Sequence, residues 1–574
     1  MARPDPHSYA DATQARTAVV DLSLRVDFAQ RTLSGECALE FHAPGTGPLD
    51  LDTRGLAIEA VTDLAGAPLP HQLHAAEPIL GARLCIELPA AGTAGVRVRY
   101  RTSPDATALQ WLDPAQTAGG VHPFLYSQCQ PIHARSLAPL QDTPGIRVRA
   151  KASFTVPARL RTLMAAAAKG RVPGPAGEAT DHFEMPQPIP PYLLAFVVGD
   201  LSPRQLSARS AVWAERSLVD AAAHEFEQVE DMIVAAEELF GPYEWDRYDI
   251  LVMPPSFPYG GMENPRLTFV TPSLLAGDRS LVNVIAHELA HAWTGNLVTN
   301  ASANDFWLNE GFTVYAERRI LEALEGRESS ELHAAIGRHE LEAALLRFAA
   351  RPELTRLRND LAGVDPDEAY STVPYEKGYL LLRALEEAAG RTRFDDFLRA
   401  YLDKFRFQSI VTQDFIDLAM ARLPRAAKQV QLLEWIDQPG LPAQAPRPQS
   451  ERLAALQAGT AEPQNPTELL VFLQALPAQT AIQCAALDAR FGLSSRPSIE
   501  VRHTFVIAQL RAGAPGAVEA ARRVLAETGR MKYLRPLFLE LAKGDRAVAQ
   551  RLYDERRAGY HPIARAVIEG LLRA

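Results

Sequence analysis

The first two hundred residues alternate. Val20, Leu22, Leu24, Val26 and Phe28 fall at every second position among mostly polar neighbours, and Ile146, Val148, Ala150, Ala152, Phe154 and Val156 repeat the spacing. Successive side chains of a strand point to opposite faces, so a period of two predicts strands with one buried face. Gly/Pro-rich stretches at 43–48 and 173–177 read as turns between such strands. Residues 1–200 are expected to form an antiparallel β domain. From about Asp220 the period becomes helical. Residues 221–240 are acidic and amphipathic and stop before Gly241-Pro242. Residues 281–296 place Leu281, Val282, Ile285, Leu289 and Trp293 on one face, with Asp278 or Ser280 as candidate N-cap. Residues 312–324 and 377–389 behave alike, so 201–437 is expected to be a mostly helical α+β domain. Prolines 439, 442, 446 and 448 exclude regular structure from 438–449, which reads as a linker. Beyond it, Ala/Leu/Arg-rich segments such as 517–528 keep a 3.6-residue period and predict an all-α domain over 450–574.

Length agrees with a multidomain reading: 574 residues correspond to roughly three to five domains. Hydrophobic residues at 47% and charged residues at 22% exclude wholesale disorder. A net charge of −10 leaves no overall basic footprint, so no nucleic-acid partner is expected. The four cysteines, Cys37, Cys85, Cys129 and Cys484, form no CxxC pair and fit a reducing compartment. No apolar leader follows the first residues, and no apolar run approaches the ~20 residues that span a bilayer. The expectation is a cytoplasmic protein with no membrane partner.

The chemistry lies in the middle domain. His287-Glu288-Leu289-Ala290-His291 puts two imidazoles at i and i+4 on one helix face, where both can reach one metal ion. The intervening Glu288 stands beside that ion, placed to take a proton from water. After eighteen intervening residues beyond His291 comes Glu310, which a returning helix can bring back as third ligand. Two histidines and a glutamate leave one position open, the pattern of a catalytic rather than a structural zinc. An isolated HExxH can also be a buried helix whose histidines bond locally; a spaced carboxylate on a second amphipathic helix argues against that. Imidazole and carboxylate ligands suit zinc, one ion per chain, and imply metal-assisted hydrolysis. Glu317, two turns beyond Glu310, reads equally as a carboxylate orienting a ligand histidine or as a solvated one.

Just upstream stands Gly260-Gly261-Met262-Glu263-Asn264. Glycines allow a substrate backbone to approach, and Glu263 offers a fixed negative charge to a free α-ammonium. Together with HExxH and the spaced glutamate, this segment resembles the gluzincin aminopeptidases, peptidase family M1. The likeness extends towards the leukotriene A(4) hydrolase-like branch. It is carried by 260–317 almost continuously, by Ser127-Gln-Cys-Gln130 with Gln141-Asp-Thr-Pro144, by 365–370 leading to Val373-Pro-Tyr-Glu-Lys-Gly378, and by Gly529-Arg-Met-Lys-Tyr533. These stretches lie in all three expected domains.

The resemblance implies a β saddle, a thermolysin-like zinc catalytic domain and a helical cap enclosing one site. It implies Glu288 as general base, Tyr375 as oxyanion donor, and Gln130 beside Glu263 at the substrate amine, with Gly260, Gly261 and Met262 along the peptide. Arg530 and Lys532 would hold the far carboxylate of a short peptide. Asp367 and Tyr370 fall where the branch opens the epoxide of leukotriene A(4), and Asp367 could also recognise a basic first side chain. Without the resemblance, Tyr375 reads as a packed aromatic, Gln130 as a strand amide, Asp367 as a loop carboxylate, and Arg530 with Lys532 as a surface charge cluster. Phe312 departs from the animal members, which carry histidine there, and leaves pocket shape open. The leading expectation is a zinc aminopeptidase acting on short peptides. A fatty-acid epoxide hydrolase using the same site is the alternative, and a non-catalytic scaffold is disfavoured by the full set of site residues.

Overall fold

The alternation at Val20–Phe28 becomes the strand Thr17–Asp27, whose inward Val20, Leu22 and Leu24 are at most 3% exposed. A computed structural model, which describes residues 5–369 and 371–573, sets this strand in an eight-stranded sheet between Val148–Pro157 and Thr32–Thr53. Its other members pair antiparallel, but Thr17–Asp27 runs parallel to Val148–Pro157. Parallel neighbours need a long crossover, and more than a hundred residues separate these two. The expected turn at 43–48 is absent. That stretch continues inside Thr32–Thr53, and its ladder to Ala82–Arg101 slips register around Gly45 and Gly47. The glycines bulge a long strand rather than reversing it. A four-stranded sheet of Leu109–Leu112, Phe124–Ser127, Phe196–Gly199 and Arg161–Met164 packs on the first, with Phe154 stacked 4.4 Å from Phe196.

The loop from Gln128 to Leu137 leaves this domain toward the next and is held by Arg135. That guanidinium is fully buried; it donates to the Asp142 carboxylate at 2.9 Å and to the carbonyls of Leu80 and His7 at 2.8 and 2.7 Å. Asp52 stands 3.8 Å away and accepts from the Tyr9 and Asp142 amides, so one cation ties the loop to residues 5–9 and to the sheet.

The central domain opens with a five-stranded sheet in the order Leu201–Gln205, Ala211–Glu215, Asp249–Val252, Leu267–Val270, Gly261–Met262. The acidic stretch 221–240 is two helices, Val219–Glu225 and Val229–Phe240. At the end of the first, the Glu225 carboxylate accepts the Gly277 and Arg279 amides, both at 2.8 Å. The next expected helix is shorter than 281–296. Neither Asp278 nor Ser280 caps it; Asp278 accepts the Ser280 amide within the loop, and the helix runs Asn283–Ala290. Its end is fixed where Gly295 donates to the Val298 carbonyl at 2.7 Å. The long helix Trp307–Glu325 follows, then Arg327–Arg347 and Gly378–Ala389. Gly311 and Gly378 meet where the first and last of these cross: a Cβ on Gly311 would lie 2.7 Å from the Gly378 Cα. Phe312 points away from that crossing and stacks on Tyr401 at 4.5 Å.

Residues 438–450 carry neither helix nor strand. The C-terminal domain is helical from Glu451–Gln457 to Pro562–Arg573, with its own core of Tyr533, Leu534, Leu537 and Phe538. It docks on the central domain through backbone: Gly529 donates to the Pro255 carbonyl at 2.6 Å and Met531 to the Pro258 carbonyl at 2.8 Å. Among the described residues, no helix is long and apolar enough to cross a membrane.

Arg135→Met takes from the buried Asp52 and Asp142 the guanidinium they share, a change that costs about 3–5 kcal/mol. The first urea unfolding transition should move to lower denaturant by that amount, and protease should cut residues 5–16 under conditions that spare the parent protein.

Candidate active site

The helix Asn283–Ala290 and the residue that ends it present His287 and His291 on one face. Trp307–Glu325 lies across them and brings Glu310 from its first turn. The Glu310 Oε2 atom stands 3.4 Å from His287 Nε2 and 3.5 Å from His291 Nε2, and one ligand atom from each residue lies within 4.8 Å of the others. The far ring nitrogens are already committed. His287 Nδ1 donates to the Glu317 carboxylate at 3.1 Å, and His291 Nδ1 donates to the Thr294 carbonyl at 2.9 Å. Both acceptors lack a proton to give, so each Nδ1 carries hydrogen and each Nε2 faces Glu310. The Thr313 hydroxyl, one turn after Glu310, donates to the same Thr294 carbonyl at 2.6 Å. Of the two readings of Glu317, the structure gives the one that orients a histidine; it is 7% exposed.

The donor set fits zinc. Two imidazole nitrogens and a carboxylate oxygen converge, and Glu310 Oε2 is buried with no hydrogen-bond partner. Burial opposes its charge, but His291 and His287 hold Glu310 down at about 2, so it is a carboxylate at neutral pH. Glu288 differs: burial lifts it to about 7, with His287 and His291 offsetting only part of that. Its Oε2 is likewise buried and unpartnered. A Cβ on Gly261 would overlap the Glu288 carboxylate, so the glycine of that edge strand is required by close approach.

Glu263 follows Gly261 and Met262 on the same edge and is 4% exposed. Gln130, from the Arg135-anchored loop, donates its amide to Glu263 Oε1 at 3.2 Å. Asn296 donates to the Glu263 main-chain carbonyl at 2.7 Å, a contact that no spacing in the sequence announces. Glu263, Glu288 and His291 also bring one atom each within 4.8 Å. Burial raises the Glu263 carboxyl, against the pull of His291.

Tyr375 lies on a π turn, Val373–Lys377, and stacks on His287 with centroids 6.0 Å apart. Its neighbours pin that turn from both sides. Glu376 takes Arg318 Nη2 at 2.8 and 2.9 Å, and buried Lys377 donates to the Thr355 and Gln438 carbonyls. Gly260 faces Arg530, whose guanidinium occupies the space a Cβ would fill and whose Nη1 donates to the Tyr533 hydroxyl at 3.2 Å. Lys532 points elsewhere, to Glu340 at 3.0 Å and to Glu500. Asp367 sits on the short helix Pro366–Ala369 and accepts from His133 Nε2 at 2.9 Å, a partner that sequence reasoning missed. Tyr370 lies outside the described residues. A cavity with about 70 Å³ of room for water runs from Gln130 and Tyr259 past Asp367 to Phe306, Trp307 and Leu357, and its walls are mostly apolar.

Fold and site together define a zinc hydrolase built on the thermolysin-like catalytic domain with two flanking domains. Family models agree along the chain: residues 6–193 match the peptidase M1 N-terminal domain, 224–436 the peptidase family M1 domain, and 464–572 the leukotriene A4 hydrolase C-terminal domain. The chain is 36% identical over 603 residues to leukotriene A-4 hydrolase of Xenopus laevis, covering 98% of each. It is 34% identical over 604 residues to leucine aminopeptidase 2 of Neosartorya fischeri, covering 98% of this chain and 97% of the relative. The solved structure of yeast LTA4 hydrolase in complex with bestatin superposes with a TM-score of 0.91 at 33% identity, covering 99% of this chain and 97% of that one. The chain belongs to peptidase family M1 and is a hydrolase of its metallo-aminopeptidase class.

Glu317→Gln keeps shape but weakens the acceptor of His287 Nδ1. Competition against a chelator should show zinc bound about 10–100-fold more weakly, with the fold unchanged by circular dichroism.

Proposed function

We propose that this protein is a zinc aminopeptidase that removes N-terminal residues from short peptides. One observation carries the reading: Glu263 shares a 4.8 Å cluster with Glu288 and His291. A fixed carboxylate so close to the hydrolytic groups can neutralise an ammonium only if the amine and the scissile carbonyl belong to the same residue. That residue is the first of a chain. A blocked or internal residue would leave Glu263 buried without a cation, which is costly.

The roles follow from position. His287, His291 and Glu310 hold the zinc ion, which when bound supplies Lewis-acid polarisation and a more acidic water. Glu288, ringed by His287, His291 and Glu263, takes the proton of the attacking water and passes it to the leaving amine. Tyr375 donates its phenol to the oxyanion. Gln130 and Glu263 bind the substrate ammonium, while Gly260, Gly261 and Met262 run beside the peptide main chain. Arg530 takes the terminal carboxylate of a short peptide; the Lys532 ammonium is already paired with Glu340 and Glu500. Asp367 faces the side chain of the first residue and favours a basic one. The domain limits 1–200, 201–437, 438–449 and 450–574 remain our division. The four unbridged cysteines support a cytoplasmic place of action.

A second reading has support from the cavity. Its apolar walls suit an acyl chain, and a relative carries the name leukotriene A-4 hydrolase. Epoxide hydrolysis of a fatty acid, with Arg530 on the carboxylate and Asp367 at the opened carbon, would use the same site.

The deciding assay is hydrolysis of aminoacyl-chromophores and tripeptides, free and N-acetylated, before and after chelation and zinc restoration. We expect chelator-sensitive cleavage of the free-amine substrates only; cleavage of acetylated ones overturns the reading. Glu288→Gln should keep its zinc and lose about 10²–10⁴-fold in kcat. Glu263→Ala should keep zinc and lose discrimination against acetylated substrates.

A further inference from the structure

The loop that carries Gln130 to Glu263 continues to a second carboxylate of the site. His133 stands three residues on, and its ring is 5% exposed at the junction of the N-terminal and central domains. Its Nε2 lies 2.9 Å from Asp367 Oδ2, and its Nδ1 lies 2.9 Å from the Thr107 hydroxyl. The carboxylate only accepts, so Nε2 carries a hydrogen toward it. Thr107 serves Nδ1 in either role, since its hydroxyl both donates and accepts. The ring is thus held from behind by its own domain and presents a donor to the neighbouring one. The backbone beneath is equally fixed: the His133 amide donates to the Cys129 carbonyl at 2.8 Å, and Ser136 donates to the His133 carbonyl at 2.8 Å. Two residues further on, Arg135 anchors the loop to the sheet.

Asp367 lies on a four-residue helix, Pro366–Ala369, whose turn is closed on Asp365: the Asp367 amide donates to Asp365 Oδ1 at 3.0 Å, and the Glu368 and Ala369 amides donate to the Asp365 carbonyl at 3.0 and 3.2 Å. Its side-chain hydrogen bond comes from the neighbouring domain. Between the two loop contacts, Pro131 and Ile132 line the cavity together with Gln130 and Asp367.

We propose that His133 is a positioning residue for Asp367, so that the N-terminal domain sets the preference for a basic first side chain. The inference rests on the aminopeptidase reading above and on Asp367 facing that side chain. One rigid loop then aims two carboxylates: Glu263 at the amine through Gln130, and Asp367 at the side chain through His133. A carboxylate held at one oxygen by an N–H donor loses its rotational freedom, which favours a guanidinium or ammonium at one distance.

The test measures kcat and KM for arginine and alanine p-nitroanilides with the full-length zinc enzyme. The variants are His133→Phe, His133→Gln, Thr107→Val and Asp367→Asn, each checked for zinc content and thermal unfolding. His133→Phe should lower the arginine-to-alanine ratio of kcat/KM at least tenfold, mostly through KM of the arginine substrate. His133→Gln, whose amide still donates, should return the ratio to within threefold of the parent. Thr107→Val, which leaves the ring in place, should lower the ratio by a smaller factor; it decides the question if His133→Phe does not fold. If Asp367→Asn lowers the ratio but the His133 and Thr107 variants do not, the positioning role is wrong and the specificity reading stands. If Asp367→Asn leaves the ratio unchanged, the reading of Asp367 fails and takes this proposal with it.

Discussion

The site gathers four buried carboxylates around two imidazoles, and the rest of it depends on that charge balance. Glu310 faces two imidazoles, Glu317 backs one of them, and Glu263 and Glu288 share the space beside His291. Isolated charges at this depth are costly, and the cost falls only when an opposite charge sits within a few ångströms. The ligand geometry suits one divalent ion, and the proposed ammonium of a peptide would answer Glu263. Substrate recognition and metal binding are then two parts of one electrostatic problem, solved on adjacent faces of the HExxH helix.

Close approach is the second constraint. The Glu310 helix crosses the helix after Tyr375 where Gly311 meets Gly378, which sets the distance between a ligand and the phenol. Gly261 lets the edge strand lie against the Glu288 carboxylate, and Gly260 makes room for Arg530. Here the glycines serve by having no Cβ, so helices and strand come within contact of catalytic groups. The Tyr375 turn is a π turn pinned by Arg318 and by Lys377, an irregularity held on both sides by buried charge.

The site also belongs to more than one domain. Gln130 and His133 come from the β domain and Arg530 from the helical one, each held by contacts at its root: Arg135 in the first, the Gly529 and Met531 amides in the second. An arrangement of this kind gives the flanking domains a share in the lining of the site.

Much of this was legible in the chain itself. Period two in the first domain and period 3.6 thereafter separate the architecture, because burial of one face leaves its imprint on residue order. HExxH with a spaced glutamate fixes the metal chemistry, because i and i+4 share a helix face wherever the helix lies. Local pattern failed where a distant group intervened. The Glu225 carboxylate binds the Gly277 and Arg279 amides from another part of the chain, and a register slip carries a strand through a Gly/Pro stretch that resembles a turn. Lys532 looked like a partner of Arg530 by spacing, yet its ammonium turns to Glu340 and Glu500 on other helices. His133 gave no signal, since a lone histidine acquires meaning only from what it faces. The sequence alone determined where strand period gives way to helical period and that two histidines share one helix face, because those depend on neighbours along the chain. Tertiary structure decided which carboxylates meet which donors, because such pairings join residues hundreds of positions apart and are set by the distances at which domains pack.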